Sequence, residues 1–376
     1  MIYFKYTNFS IGIYNDLLGQ SYELKKIVQP LGISFVTFQS ISLLVDVYQG
    51  KITIRPKVWD VLFYLSYFPK FISGPITRYE PLMDSYDSRE SNLSMFSAGL
   101  ERFIIGLGKK VIISNQMALL ADTIYKTSAT DAGTLFAWIA AFAYTFQIYF
   151  DFSGYTDMAI GISKMLGIDL PENFNFPYIA KSITDFWRRW HISLSLWFRD
   201  YIYIPLGGNR VKLLRQIFNL LVVWMLTGLW HGASYNFILW GLYYGILLII
   251  EKYFLGTLIK RMPGFLQWLL TFVIVVIGWV IFRLTDLSQL TSFFNVMFVY
   301  HPVSLLKLLE SGDLVLVNLV YFVPAILFAI PWWKKINIPD TTFVYFVRHL
   351  SLIIVFFIAI VFTISSSYNP FIYFGF

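Results

Sequence analysis

Read with a window of about twenty residues, the length that crosses a bilayer as a helix, the chain has clean apolar spans near 134–150, 216–231, 236–254, 265–282, 314–332 and 350–366. Three earlier runs are less clean. The run 31–48 carries Asp46 at its end, 58–76 is broken by Pro69, Gly74 and Pro75, and 95–120 is interrupted by Glu101, Arg102, Lys109 and Lys110. These runs are expected to be partly re-entrant or interfacial. Irregular backbone survives at membrane depth only where other protein or a watery cavity satisfies it, so the early part of the chain is expected to help enclose a chamber. The span-length rule predicts roughly eight to ten membrane-embedded helices.

Composition sharpens this picture. With 57% hydrophobic and only 14% charged residues, the chain lies well beyond the soluble globular average and is expected to be an all-α integral membrane protein. No linker, low-complexity tract or internal repeat divides it, so a single domain over 1–376 is expected. The absence of cysteine excludes disulfides, thiolate metal sites and cysteine nucleophiles. The N-terminal "MIYFKYTNFS" lacks the pattern of a cleavable signal peptide, which leaves insertion to internal spans. The net charge of +7 comes from basic residues that flank apolar runs. It therefore bears on topology, and nucleic-acid binding is not expected.

Orientation follows from where lysine and arginine collect. The segment 181–215 holds Lys181, Arg188, Arg189, Arg199, Arg210, Lys212 and Arg215 against Asp185 and Asp200, which predicts a cytoplasmic loop. Counting spans onward places the turn after His231 outside, Lys252 to Arg261 inside, 284–313 outside, Lys334 to Arg348 inside and the C-terminal "NPFIYFGF" outside. Each inside loop then has a basic excess.

In "LTGLWHGASYN", Leu226 to Asn236, His231 ends an apolar run with no charged residue since Arg215. Sixteen residues of helix rise roughly 24 Å, so His231 is predicted to lie deep, toward the outer half. Two readings compete: a histidine that bonds neighbouring helices together, or a reaction centre or ion path. Gly228, Trp230 and Gly232 fit a shaped pocket and ordinary helix packing equally well.

The stretch "DFWRRWHISLSLWFRDYIYIPLGGNR", Asp185 to Arg210, mixes Arg188, Arg189, Arg199 and Arg210 with Trp187, Trp190, Trp197 and His191. It is too charged to span. Either it lies along the interface with its arginines at the headgroups, or the arginines receive an anionic ligand such as the phosphates of an acyl donor. "PLGGN" reads as a turn. Asp151 and Asp157 lie six residues apart in an apolar context and do not share a helix face cleanly, so no metal site is expected. They are expected to cap helix ends or pair with nearby arginines. His301 and His349 fall in loops or at a span edge, where solvated or interfacial roles are expected.

Long ordered blocks carry a resemblance. They are "LGISFVTFQSISLLVDVYQG" at 31–50, "FPKFISGPITRY" at 68–79, "FQIYFDFSGYTDMAIGISKMLGI" at 146–168, "NFNFPYIAKSITDFWRRWHISLSLWFRDYIYIPLGGN" at 173–209, "TGLWHGASYNFILWG" at 227–241 and the closing "PFIYFGF". The chain resembles the membrane-bound O-acyltransferases (MBOAT), in the bacterial branch typified by alginate O-acetylases. The resemblance implies a polytopic helical bundle with interfacial and re-entrant helices around a tunnel. It also implies acyl transfer from a cytoplasmic thioester donor toward an acceptor reached from outside. Carried over residue by residue, the family's essential histidine is His231 in "LWHG", and a second important one is His191 in "RRWHISLS".

On this reading His231 is the general base. A neutral imidazole with an unperturbed pKa of about 6.5 can take a proton from an attacking hydroxyl. The sequence does not separate direct transfer from an acyl-histidine intermediate. His191 would orient the donor, stabilise an oxyanion or shuttle a proton. Arg188, Arg189 and Arg199 would contact donor phosphates, Asp200 would hold one of these arginines, and Trp230 would support the site. Members of this branch usually begin with further apolar helices before the "YFKYTNF"-like segment, which here starts at Tyr3. The domain is therefore expected to lack the family's first helices.

The branch implies acetyl-coenzyme A as donor substrate, no tightly bound cofactor and no metal. It implies a cell-envelope or exported polysaccharide as acceptor, a bacterial cytoplasmic-membrane location and an extracytoplasmic acyltransferase as partner. Related D-alanyl transfer proteins use a carrier-protein donor for teichoic acid. Two readings from other classes stand beside these. A transporter would use His231 and the acids as a path, and predicts repeat symmetry. A non-catalytic scaffold would tolerate loss of His231.

Overall fold

Backbone that cannot reach water must bond to itself, and in hydrocarbon a helix does so within one segment. The computed structural model describes residues 1–52, 56–90, 92–303, 317–336, 339 and 341–365, and no strand occurs among them. The chain opens with α1 (Ile2–Leu18) and α2 (Ile33–Tyr48), followed by short α3 (Val58–Ser66), α4 (Phe68–Phe71) and α5 (Tyr79–Asp87). Next, α6 (Leu93–Gly108) continues through a π-helical stretch, Lys109–Ser114, into α7 (Asn115–Lys126) and is followed by the long α8 (Ala129–Met165). Short α9 (Ile183–Arg189) and α10 (Ile192–Phe198) precede α11 (Leu213–His231), α12 (Tyr235–Ile250), α13 (Gly256–Arg261), α14 (Gly264–Arg283) and α15 (Leu287–Phe298). Helices Phe322–Ala329 and Thr342–Ser365 follow.

Six helices among the described residues are long and apolar enough to cross a membrane: Leu93–Lys126, Ala129–Met165, Leu213–His231, Tyr235–Arg261, Gly264–Arg283 and Thr342–Ser365. Ile33–Tyr48 and Val317–Ala329 are shorter apolar helices. This is a multi-pass all-α membrane protein. The span expected at 314–332 is described only from residue 317, and both 304–316 and the closing segment 366–376 lie outside the described residues. The run 58–76 is broken, but not at Pro69 itself: Tyr67 leaves helical geometry between α3 and α4, Pro69 sits in the first turn of α4, and the second break contains Gly74 and Pro75 as expected.

The run 95–120 departs from expectation, because it belongs to one membrane-length helix, Leu93–Lys126, that stays continuous through its π-helical stretch. Its charges do not break it, since each one meets an opposite charge. Lys110 pairs with Asp151, Lys109 with Asp157 at 2.6 Å, and Arg102 with Asp157 at 2.8 Å and with Glu172. Glu101 takes Arg348 at 2.5 Å. Charges inside a bundle are tolerated when paired in this way. Asp151 and Asp157 therefore hold α6 and its continuation to α8 through Lys110, Lys109 and Arg102, and do not cap helix ends.

Small residues bring the same two helices into contact. A Cβ on Gly99 would lie 2.5 Å from the carbonyl oxygen of Gly161, and one on Gly106 would lie 2.6 Å from that of Gly154. Both pairs are seven residues apart, so two antiparallel backbones touch at successive crossings, a packing that only glycine permits. The helices α11 and α12 meet in the same manner: a Cβ on Gly241 would lie 2.4 Å from the carbonyl oxygen of Trp224.

Contacts sort the helix ends into two groups. At one end Lys252 donates to Asn209, Tyr253 donates to Gln216, Arg348 pairs with Glu101, and Lys334 lies over the Phe176 ring. At the other, Arg283 pairs with Asp122, Gln289 donates to the Tyr125 carbonyl, and Thr134 donates to the Val296 carbonyl. The segments 181–215 and 252–261, together with Lys334 and Arg348, all expected on one side from their basic residues, thus gather at one end of the bundle. The turn after His231 and the segment from 284 gather at the other, where Asn236 donates to the carbonyls of Ile281 and Phe282.

Candidate active site

His191 sits where two short helices meet. Ser182 caps α9 by accepting the Asp185 N–H at 3.0 Å, and Glu251 of the π-helical stretch after α12 accepts the next orphan donors, Ile183 N–H at 2.6 Å and Thr184 N–H at 3.0 Å. After Trp190 the chain turns through His191 in a left-handed conformation (φ 44°, ψ 55°) to start α10. A residue with a side chain seldom adopts that region, and such strain often accompanies functional positions. The carbonyl of His191 accepts the N–H groups of Leu194 and Ser195, each at 3.1 Å, which closes the first turn of α10.

The His191 ring is held by Asn173, a buried residue that no local sequence pattern marks. The Oδ1 of Asn173 accepts the Ser193 N–H at 3.1 Å and the Ser193 hydroxyl at 2.9 Å, and lies 3.2 Å from His191 Nδ1. The Ser193 amide can only donate, so it fixes which way the Asn173 side chain points. His191 must then present Nδ1–H to Oδ1, which leaves its lone pair on Nε2. That Nε2 is buried and has no hydrogen-bond partner among the described residues. Burial lowers the His191 pKa to about 3, so the ring is neutral at physiological pH.

His231 is the last residue of α11, 5% exposed, and ringed by aromatics. Its ring centroid lies 4.8 Å from Trp230, 5.0 Å from Trp240 and 5.0 Å from Phe282. Trp230 stands between the two histidines: its centroid is 6.0 Å from His191, and it stacks on Phe38 at 5.4 Å. Residues forty apart in sequence thus share one aromatic neighbour.

A cavity of about 400 Å³ opens beside His191. Its wall runs from exposed Arg188 and Arg199 past Trp187 to His191, and on the other side includes Trp224 and Thr227, the latter one helical turn before His231. A second cavity, of about 750 Å³, also flanks α10 and is lined by Arg78 and again Arg199. The three candidate arginines are therefore placed differently. Arg188 and Arg199 line the first cavity. Arg189 does not: its Nε donates to Asp185 at 2.8 Å and its NH1 donates to the Asn175 carbonyl. Asp200 holds Arg199 at 2.6 Å and also Arg78, a partner supplied from the distant "GPITRY" block.

The remaining candidates lie apart from the site. His301 Nδ1 bonds the Val299 carbonyl, and His349 bonds that of Tyr345 and faces Glu101 at 3.5 Å. No group of three His, Cys, Asp or Glu side chains able to hold a metal occurs among the described residues.

Known proteins similar to this chain identify its family. The model of MBOAT, the membrane-bound O-acyltransferase family, matches residues 52–287, a stretch that includes both histidines. A protein named probable alginate O-acetylase AlgI, from Pseudomonas aeruginosa, is 43% identical over 329 residues, covering 85% of this chain and 63% of that protein. The peptidoglycan O-acetyltransferase of Helicobacter pylori is 35% identical over 420 aligned residues, covering 100% of this chain and 80% of that protein. The teichoic acid D-alanyltransferase of Bacillus subtilis is 33% identical over 235 residues, covering 60% and 59%. The chain spans about three fifths of the length of the alginate O-acetylases it matches. More than half of its own length fits the family model, and the described residues form helices and no strand: the chain belongs to the membrane-bound O-acyltransferase family.

Proposed function

We propose that this protein is a multi-pass O-acyltransferase of the bacterial cytoplasmic membrane. It moves an acetyl group from a cytoplasmic thioester toward hydroxyls of a cell-envelope or exported polysaccharide. The observation that carries this reading is the cavity that runs from Arg188 and Arg199 at the basic end of the bundle to His191, with Trp230 joining His191 to His231. Guanidinium groups at a cavity mouth suit the phosphates of acetyl-coenzyme A, and the apolar wall beyond them suits a pantetheine arm. The donor is a substrate, and the reaction needs no tightly bound cofactor. The names of the Pseudomonas aeruginosa and Helicobacter pylori relatives point to an envelope polysaccharide as acceptor. The basic end of the bundle would face the cytoplasm, with His231 toward the outer side.

In the reaction, the acceptor hydroxyl oxygen bonds to the thioester carbonyl carbon while His231 takes its proton. The tetrahedral adduct then collapses, the C–S bond breaks, and the proton passes from His231 to the departing thiolate, leaving ester and thiol. His191 presents a lone pair at Nε2, which suits a proton acceptor in the relay and does not suit an oxyanion donor. An extracytoplasmic acyltransferase would complete delivery.

The test is release of free coenzyme A from acetyl-coenzyme A by the protein in lipid nanodiscs, with the native chain compared with His231→Ala of matched folding. Release by the native chain that is lost in the variant supports the reading. Equal behaviour of the two overturns it. The D-alanyltransferase relative favours a second reading, transfer from a carrier protein to teichoic acid, which predicts turnover of a D-alanyl carrier thioester and none of acetyl-coenzyme A.

A further inference from the structure

The last four carbonyls of an α-helix have no partner inside the helix. In α11 these belong to Gly228, Leu229, Trp230 and His231. The usual closing device, a left-handed residue just past the end, is absent: Gly232 is extended at φ −172° and ψ 161°, and its N–H reaches only the Gly228 carbonyl, at 3.4 Å. The other three carbonyls are taken by α1. The Tyr6 hydroxyl donates to Leu229 O at 2.5 Å, and Lys5 Nζ donates to Trp230 O at 2.6 Å and His231 O at 3.0 Å. Lys5 also lies 6.0 Å from the Trp230 ring centre, and Phe9, one turn on from Lys5, packs edge-on against Tyr235 at 5.4 Å. Thus α1 grips both sides of the turn that follows His231, from more than two hundred residues away in sequence.

We propose that Lys5, aided by Tyr6, is a positioning residue for His231: it closes the carboxyl end of α11 and so fixes the backbone from which the imidazole projects toward Trp240 and Phe282. The inference rests on the reading of His231 as the general base. The physical ground is that a cation at the negative end of a helix, bonded to its orphan carbonyls, satisfies hydrogen-bonding demand and dipole together. Without it the last turn frays, and a base displaced by about 1 Å loses up to about 100-fold in rate. Lys5 donates only to backbone here, so its hydrogen bonds act through geometry, while its charge also acts on His231.

The experiment uses the full chain in nanodiscs as wild type, Lys5→Met, Lys5→Arg and Tyr6→Phe. Hydrogen exchange is followed on peptides covering 226–236, with kcat and KM for acetyl-coenzyme A measured alongside. Lys5→Met is expected to speed exchange in 226–236 selectively and to lower kcat by about 10- to 100-fold with KM within about twofold. Lys5→Arg, which keeps charge and donors, is expected to restore both. Tyr6→Phe, which removes one bond, gives a smaller change of the same kind and serves if Lys5→Met does not fold. Unchanged exchange in 226–236, or faster exchange with unchanged kcat, overturns the proposal. If the wild type releases no coenzyme A, the acetyl-donor reading fails by itself. Positioning is then decided by diethyl pyrocarbonate labelling of His231, which the proposal expects to quicken in Lys5→Met while labelling of His191 stays constant. Equal labelling of His231 in the two proteins overturns it.

Discussion

Asn173 offers the sharpest test of the histidine geometry, because one buried oxygen there decides a tautomer. Leucine at 173 would keep the volume but leave the Ser193 N–H and the His191 Nδ1–H without the acceptor they now share. A buried donor left unsatisfied costs about 1–3 kcal/mol, so the variant should lose about 2–5 kcal/mol of stability. His191 would also be free to move its proton to Nε2. Losing one neutral hydrogen bond of about 1 kcal/mol makes the two tautomers comparable and, by population alone, lowers the rate by about twofold beyond any loss of folded protein.

Aspartate at 173 separates the two effects. It keeps the acceptor and therefore the tautomer, but adds a negative charge beside Nδ1–H, which favours the imidazolium. In the wild type burial holds His191 down to about 3, so lowering the pH from 8 to 5 should not titrate it. In Asn173→Asp its pKa should rise by about 2–4 units, and the rate should fall on the acid side as the ring gains a proton, with a midpoint of about 5–7. The assay is coenzyme A release across pH 5–8.5 in nanodiscs, normalised to folded protein by thermal melts. An Asn173→Asp profile that superimposes on the wild type, together with an Asn173→Leu rate equal to wild type, would refute the reasoning.

Three other outcomes follow from the same physics. Arg188→Gln and Arg199→Gln should raise KM for acetyl-coenzyme A several-fold with little change in kcat. Arg189→Gln should leave KM unchanged, because that guanidinium is engaged by Asp185 and the Asn175 carbonyl; steady-state kinetics distinguish these, and an equal effect at Arg189 would contradict the cavity assignment. Lys110→Met should lower stability by about 3–5 kcal/mol by leaving Asp151 buried without its cation, whereas Lys110→Met with Asp151→Leu should recover much of it. Thermal melting of the single and double variants checks this. Gly161→Ala should destabilise by about 1–3 kcal/mol through its approach to the Gly99 backbone, while Gly12→Ala, with open space at its Cβ, should be neutral or stabilising by up to about 1 kcal/mol in the same assay.

What could be read in advance was what lies within one helix length. Of the five clean spans expected after residue 213, four coincide with membrane-length helices; these and the burial of His231 follow from local apolar content, and local content is what a window measures. The charged run 95–120 misled for the complementary reason. Lys109, Lys110 and Arg102 look too costly for a span when taken alone, but their acids, Asp151, Asp157 and Glu172, lie 41 to 70 residues away. Charge in a membrane helix is a statement about partners, and partners are tertiary.

The same limit hid Asn173 and Lys5. Each acts on a histidine through backbone or through one shared oxygen, a role that leaves no signature in its own neighbourhood. One tertiary contact did have a legible trace. Gly99 and Gly106 repeat the seven-residue spacing of Gly154 and Gly161, and two helices with matching small-residue spacings are candidates for close antiparallel contact. That spacing pairs α6 with α8 and brings Lys110 level with Asp151, which accounts for the charges within the span. In a bundle such as this one, spacing between small residues carries more information about which helices meet than hydropathy does, because lipid and protein interior are equally apolar and only a close approach distinguishes them.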